Sequence, residues 1–135
     1  MSEQKPKEMT IEWKKNFQLE ARRRGLSVLV DQPKDDGGDD TGFNPVELLV
    51  ASLGACIGYY ALLFLGRRKI DPKGLKISMA WEYGENPRRV AKLKAEISLD
   101  AKLDDHQVSG LLKITSGCTV HNTLTHAPDI SINIA

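Results

Sequence analysis

An excess of charge of either sign is missing from this sequence: Lys and Arg number 19 against 18 Asp and Glu, a net +1. Such a balance sets up no field that would gather nucleic acid or an anionic lipid surface, so neither is expected as a partner. Cysteine is scarce too, with only Cys56 and Cys118. Two widely separated thiols exclude a paired CxxC zinc site, and His106 and His126 have no cysteine or carboxylate at ligand spacing. No metal and no cofactor are expected. The sequence also lacks the apolar stretch and small-residue site of a secretory signal in its opening MSEQKPKEMTIEWKK, which points to the cytoplasm. In that reducing compartment free thiols or a cycling pair are expected over a static disulfide. Long hydrophobic runs are limited to one, Leu48 to Leu65, which is free of charge. It just reaches the length of a membrane span, but it contains Ser52, Gly54, Gly58, Tyr59 and Tyr60, and the rest of the chain alternates polar and apolar. The expectation is a helix buried on every side, in a core or a subunit interface, with no membrane involved. A chain of 135 residues can bury one sizeable core, so residues 1–135 are read as a single domain.

What is present has a clear order. Thr10 to Asp31 is rich in β-branched and aromatic residues around a basic turn, Arg22-Arg23-Arg24-Gly25, and predicts a β-meander. Gln32 to Phe43 has no apolar period and predicts a surface loop. Asn44-Pro45-Val46-Glu47 then places a capping residue, a first-turn proline and a capping-box glutamate in sequence, so a long helix should start there. It should run to the basic cluster Arg67-Arg68-Lys69, before Pro72. Leu75, Ile77, Met79, Trp81 and Tyr83 alternate with polar residues, as do Leu93, Ala95, Ile97, Leu99 and Ala101, predicting two strands of a hairpin. Asp104 with Gln107 repeats the capping box before Val108, Leu111 and Leu112 at helical spacing, and Gly117 ends that helix. Thr119 to His126 predicts a further short helix, and Ile130, Ile132 and Ile134 a final strand. The fold class is α+β.

The chemistry-bearing residues have competing readings. Cys56 sits mid-helix with no adjacent charge, where an inert core cysteine is the commoner case. Cys118 follows a glycine and opens TVHNTL, so it should stand at a helix N-terminus, where the dipole lowers a thiol pKa. His121 lies one turn beyond Cys118 and has the spacing of a base, although an exposed or hydrogen-bonded structural histidine is the commoner reading. The aspartates of QPKDDGGDDTGF match too few calcium-loop positions and read as a solvated loop. The arginine run reads as a charged turn.

Two stretches resemble the OsmC/Ohr family. NPVELLVASLGAC, ending at Cys56, is similar to that family's Pro-x-Glu-Leu-Leu helix with its first cysteine, and Cys118-Thr119-Val120-His121 is similar to its second motif of Cys-Pro-Val type. The upstream VDQPKDDGGDDTGFNP resembles the family's Asp-x-Pro and Gly-rich lead-in, so the likeness follows nearly the whole chain in order. It implies an α+β fold with an N-terminal meander, a long buried central helix, further antiparallel strands and a helical cysteine segment, assembled as an intertwined homodimer.

By the same resemblance the chain is a cysteine-based peroxidase that reduces organic, alkyl or lipid hydroperoxides to alcohols. Cys56 would be the peroxidatic thiol and Cys118 the resolving one, reset by a dithiol reductant. In well-studied branches a helper glutamate precedes the first cysteine by ten residues. Val46 fills that position here and Glu47 stands one later, a step that rotates a helical side chain by roughly 100 degrees. Glu47 is thus either a catalytic helper or only the capping-box residue. The helper arginine is best matched by Arg24, beside Gly25. An alternative reading is a non-catalytic redox-sensing or small apolar ligand-binding protein of the same fold.

Overall fold

The computed structural model describes residues 4–135. The chain divides into two compact units, one ending at Leu49 and the other running from Val50 to Ala135.

In the first unit, strands β1 (Thr10–Trp13), β2 (Leu19–Arg23) and β3 (Leu26–Val30) form the predicted antiparallel meander in the order β1-β2-β3. Arg24 and Gly25 make the β2–β3 turn with φ of 54° and 75°. Two successive positive φ values define the hairpin turn whose twist matches its strands, and Gly25 adopts one of them without steric cost. Beyond β3, Asp31 is buried and accepts hydrogen bonds from the Gln32 and Thr41 N–H groups and from the Thr41 hydroxyl. The Thr41 hydroxyl is the main cause holding its carboxyl below the usual 3.8 against the opposing effect of burial. The loop that looked merely solvated in sequence is therefore closed on itself. It passes so near the backbone that a Cβ on Gly38 would lie 2.0 Å from the Gln32 carbonyl oxygen.

Helix α1 (Pro45–Arg67) begins and ends where the sequence predicts. Within the second unit it packs on the hairpin of β4 (Lys76–Gly84) and β5 (Arg89–Ser98), where Ile77 pairs with Ile97, Met79 with Ala95 and Trp81 with Leu93. The inward positions Ile77, Met79, Leu93 and Ile97 meet Leu53 and Ile57 of α1. Gly54 permits the approach: a Cβ there would meet Met79 at 3.2 Å. Within a single chain α1 is not buried on every side, because Tyr59 and Leu62 stand exposed at 57% and 48%.

Helix α2 (Asp105–Thr115) has the predicted capping box of Asp104 and Gln107. Its Leu111 joins Ala61, Phe64 and Leu65 in a second buried cluster, and Gly110 sits where a Cβ would press on the Phe64 ring at 2.9 Å. Phe64 is 2% exposed, with the Arg68 guanidinium over its ring. Phe64→Ala should therefore cost about 3–5 kcal/mol. Urea unfolding checks it, with a lower midpoint at an unchanged slope.

Helix α3 (Thr119–Thr125) follows. The expected last strand is not formed: residues 127–135 carry no regular structure, and Ile130, Ile132 and Ile134 are 80%, 90% and 98% exposed. Alternation supplies a strand with a face, but a strand also needs a neighbour to pair with, and this tail has none among the described residues.

Candidate functional site

The fold brings Cys56 and Cys118 together. Cys56 is half-buried midway along α1, beside the core stripe of Leu53, Ile57 and Tyr60 at helical spacing. Cys118 is fully buried and packs with Leu53 and Ile57, while Cys56 lies against the same cluster, close enough for the thiols to hydrogen-bond.

Cys118 owes its position to two local signals. Gly117, whose N–H donates to the Ile114 carbonyl, closes α2. Cys118 then turns extended, at φ −67° and ψ 153°, and caps α3, its Sγ accepting from the His121 N–H at 3.3 Å. This is the capping role of a serine, filled by a weaker sulfur acceptor. The helix N-terminus was expected to lower this thiol pKa, and the outcome is the reverse. Burial pushes it above its usual 9.0, and the neighbouring Cys56 thiol adds to the rise, although the His121 and Val120 N–H groups oppose it. Removing the thiolate from water costs more than two amide dipoles return.

A second tie binds the two segments. The hydroxyls of Tyr60, one turn after Cys56, and Thr119, next to Cys118, lie 3.4 Å apart. Sequence reasoning missed this pair, for which the only available signal was the i, i+4 spacing of Tyr60 from Cys56. His121 also differs from its commoner reading. It is half-buried, and its Nδ1 is shielded from solvent without a hydrogen-bond partner among the described residues.

The remaining candidates belong to the first unit. Glu47 accepts the Asn44 N–H at 3.0 Å while the Asn44 side chain accepts the Glu47 N–H at 2.8 Å, a complete capping box. Arg24 is exposed at the tip of the β2–β3 hairpin. Glu47→Gln separates cap from catalysis, because the amide oxygen can still accept the Asn44 N–H while the charge is gone. If Glu47 only caps the helix, activity and unfolding midpoint should both stay near wild type; a selective loss of activity would mark a chemical role.

No curated protein matches the sequence. Solved structures do match in fold. A Psychrobacter arcticus protein named for osmotic stress induction and detoxification superposes with a TM-score of 0.81 at 21% identity, covering 91% of each chain. An OsmC-like protein from Mycoplasma pneumoniae gives 0.76 at 19% identity, over 91% of this chain and 89% of that one. A Legionella pneumophila protein named as the organic hydroperoxide resistance protein OsmC gives 0.62 at 18% identity, over 93% of each. These likenesses establish the fold, and the sequence itself carries the lineage. Residues 37–133 match the model of the OsmC-like proteins, a span that takes in both cysteines, and the chain belongs to that family.

Proposed function

We propose that the chain is a thiol-dependent peroxidase that reduces organic hydroperoxides to alcohols through Cys56 and Cys118. The observation that carries this reading is the contact between two thiols far apart in sequence. The Cys56 thiolate attacks the terminal oxygen of the hydroperoxide, the O–O bond breaks, and the alkoxide leaves and takes up a proton as the alcohol. Cys56 is left as a sulfenic acid. The Cys118 thiolate then attacks that sulfur, forming a disulfide as hydroxide leaves and becomes water, and a dithiol reductant restores both thiols. Leu53, Ile57 and Tyr60 around Cys56 favour an alkyl or lipid substrate over hydrogen peroxide. The hydroperoxide-resistance name of the Legionella relative points the same way.

In this reading Arg24 stabilises the Cys56 thiolate and the leaving oxygen, and the protein works in the cytoplasm as a homodimer. The exposed apolar side of α1 at Tyr59 and Leu62 supports the dimer, since a soluble chain gains by covering such a face. The test is consumption of cumene hydroperoxide by the reduced protein with excess dithiothreitol. A rate no greater than that of Cys56→Ser would remove the enzymatic reading.

One observation favours a second reading, a redox-sensing or ligand-binding protein without turnover: the Glu47 carboxylate is already engaged as a cap. That reading expects slow oxidation of Cys56 by peroxide and no catalytic cycle.

A further inference from the structure

The two thiols are not the only side chains that meet between α1 and α3. Tyr60 stands one helical turn beyond Cys56, Thr119 directly follows Cys118, and their hydroxyl oxygens lie 3.4 Å apart. The pair therefore joins the same two backbone segments that a Cys56–Cys118 disulfide would join. Packing fixes the Tyr60 side of the contact. That residue is half-buried against the cluster of Leu53, Ile57 and Cys118, and its ring meets the Tyr59 ring edge-on with centroids 5.4 Å apart. The chain fixes the other side, because Thr119 is the first residue of α3 and moves with Cys118.

Closing a disulfide requires Cα atoms within roughly 7 Å, so a small drift of α3 along α1 takes Cys118 out of reach. In the reduced protein the Cys118 Sγ itself helps to hold the start of α3, by accepting the His121 N–H at 3.3 Å. When that sulfur attacks the Cys56 sulfenic acid, the S–S bond forms as the S–O bond breaks, and hydroxide leaves to become water. The electron pair committed to Cys56 is withdrawn from the cap, and sulfur was a weak acceptor there from the start. The Tyr60–Thr119 contact takes no part in this exchange.

We propose that Tyr60 and Thr119 are positioning residues for closure of the Cys56–Cys118 pair, their hydroxyls holding the start of α3 on α1 while Cys118 gives up its cap. The inference rests on the reading of these thiols as a pair that closes, but not on a hydroperoxide as the oxidant.

The aromatic disulfide dithiobis(nitrobenzoate) tests it on the reduced full chain. The Cys56 thiolate attacks the reagent and releases one thionitrobenzoate, leaving a mixed disulfide. The Cys118 thiolate then attacks the Cys56 sulfur and releases the second as the protein disulfide forms. The first phase of absorbance should scale with reagent concentration, and the second, which is closure, should be independent of it. Thr119 is exposed, so Thr119→Val removes the contact without touching the core. It should slow the second phase by about three- to fivefold at an unchanged first phase and urea midpoint. Tyr60→Phe should slow the second phase to the same extent, the double variant should be no slower than either single one, and Thr119→Ser should close at the wild-type rate. The proposal is overturned if the wild type shows no second phase, if Thr119→Val or Tyr60→Phe closes as fast as wild type, if the two effects multiply, or if Thr119→Val slows both phases alike. The assay uses no hydroperoxide, so failure of the peroxidase reading would show instead as unconsumed cumene hydroperoxide with the second phase intact.

Discussion

Cys56→Ser should lower hydroperoxide turnover by on the order of a thousandfold or more while leaving the protein folded. The expected loss is large because the substitution removes the one atom on which the chemistry is done. A serine hydroxyl is a far poorer nucleophile than a thiolate, and no sulfenic acid can form on oxygen, so the cycle has no first step. The folding cost should be small by comparison. Cys56 is only half-buried at the margin of the Leu53, Ile57 and Cys118 cluster, and serine is close to it in size. An unchanged urea midpoint together with lost consumption of cumene hydroperoxide is the expected pair of results. Lost consumption with a collapsed midpoint would indicate damage to the helix packing, and retained consumption would place the chemistry elsewhere.

How much of this was legible in the sequence follows from the range over which each feature is determined. The ends of α1 and α2 are set by residues within one turn of each other, Asn44 with Glu47 and Asp104 with Gln107, so both were readable. The hairpin was readable because its inward positions alternate, Ile77, Met79 and Trp81 facing Ile97, Ala95 and Leu93. Local pattern could not supply what depends on distant neighbours. The placement of Cys118 at a helix start was foreseen, yet its burial depends on Leu53 and Ile57, more than sixty positions earlier, and that burial reverses its expected pKa shift. The tail at Ile130, Ile132 and Ile134 has a strand's alternation, but its pairing depends on a partner strand that alternation does not specify. Glu47 shows a different limit. The same residue satisfies a capping motif and stands next to a helper position, and only its bond to the Asn44 N–H displays the job it holds in this fold.

The second large effect concerns Cys118, whose replacement should change the product of oxidation rather than simply slow the reaction. In the wild type, peroxide should convert Cys56 and Cys118 to an intramolecular disulfide, seen in the intact mass as a loss of two hydrogens. In Cys118→Ser the sulfenic acid on Cys56 has no partner and should persist or oxidise further to the sulfinic form, seen as a gain of one or more oxygens. The substitution is well suited to the site, because a serine Oγ can take over the cap on the His121 N–H and keep α3 in place. Dithiothreitol can reduce a sulfenic acid directly, so mass is the decisive readout and rate is not. The raised pKa of Cys118 adds a pH signature. Cys118 must lose its proton to attack, and burial holds that proton above the ordinary 9.0, so at neutral pH only a small fraction is thiolate. Disulfide formation, followed after the sulfenic acid has formed, should therefore quicken about tenfold per pH unit and level off only above the raised pKa. A rate flat between neutral and alkaline pH would mean that Cys118 is not the attacking group. Wild-type protein that gains oxygens without a disulfide, or bridges only between subunits, would remove the resolving role of Cys118 and leave the peroxidatic role of Cys56 standing.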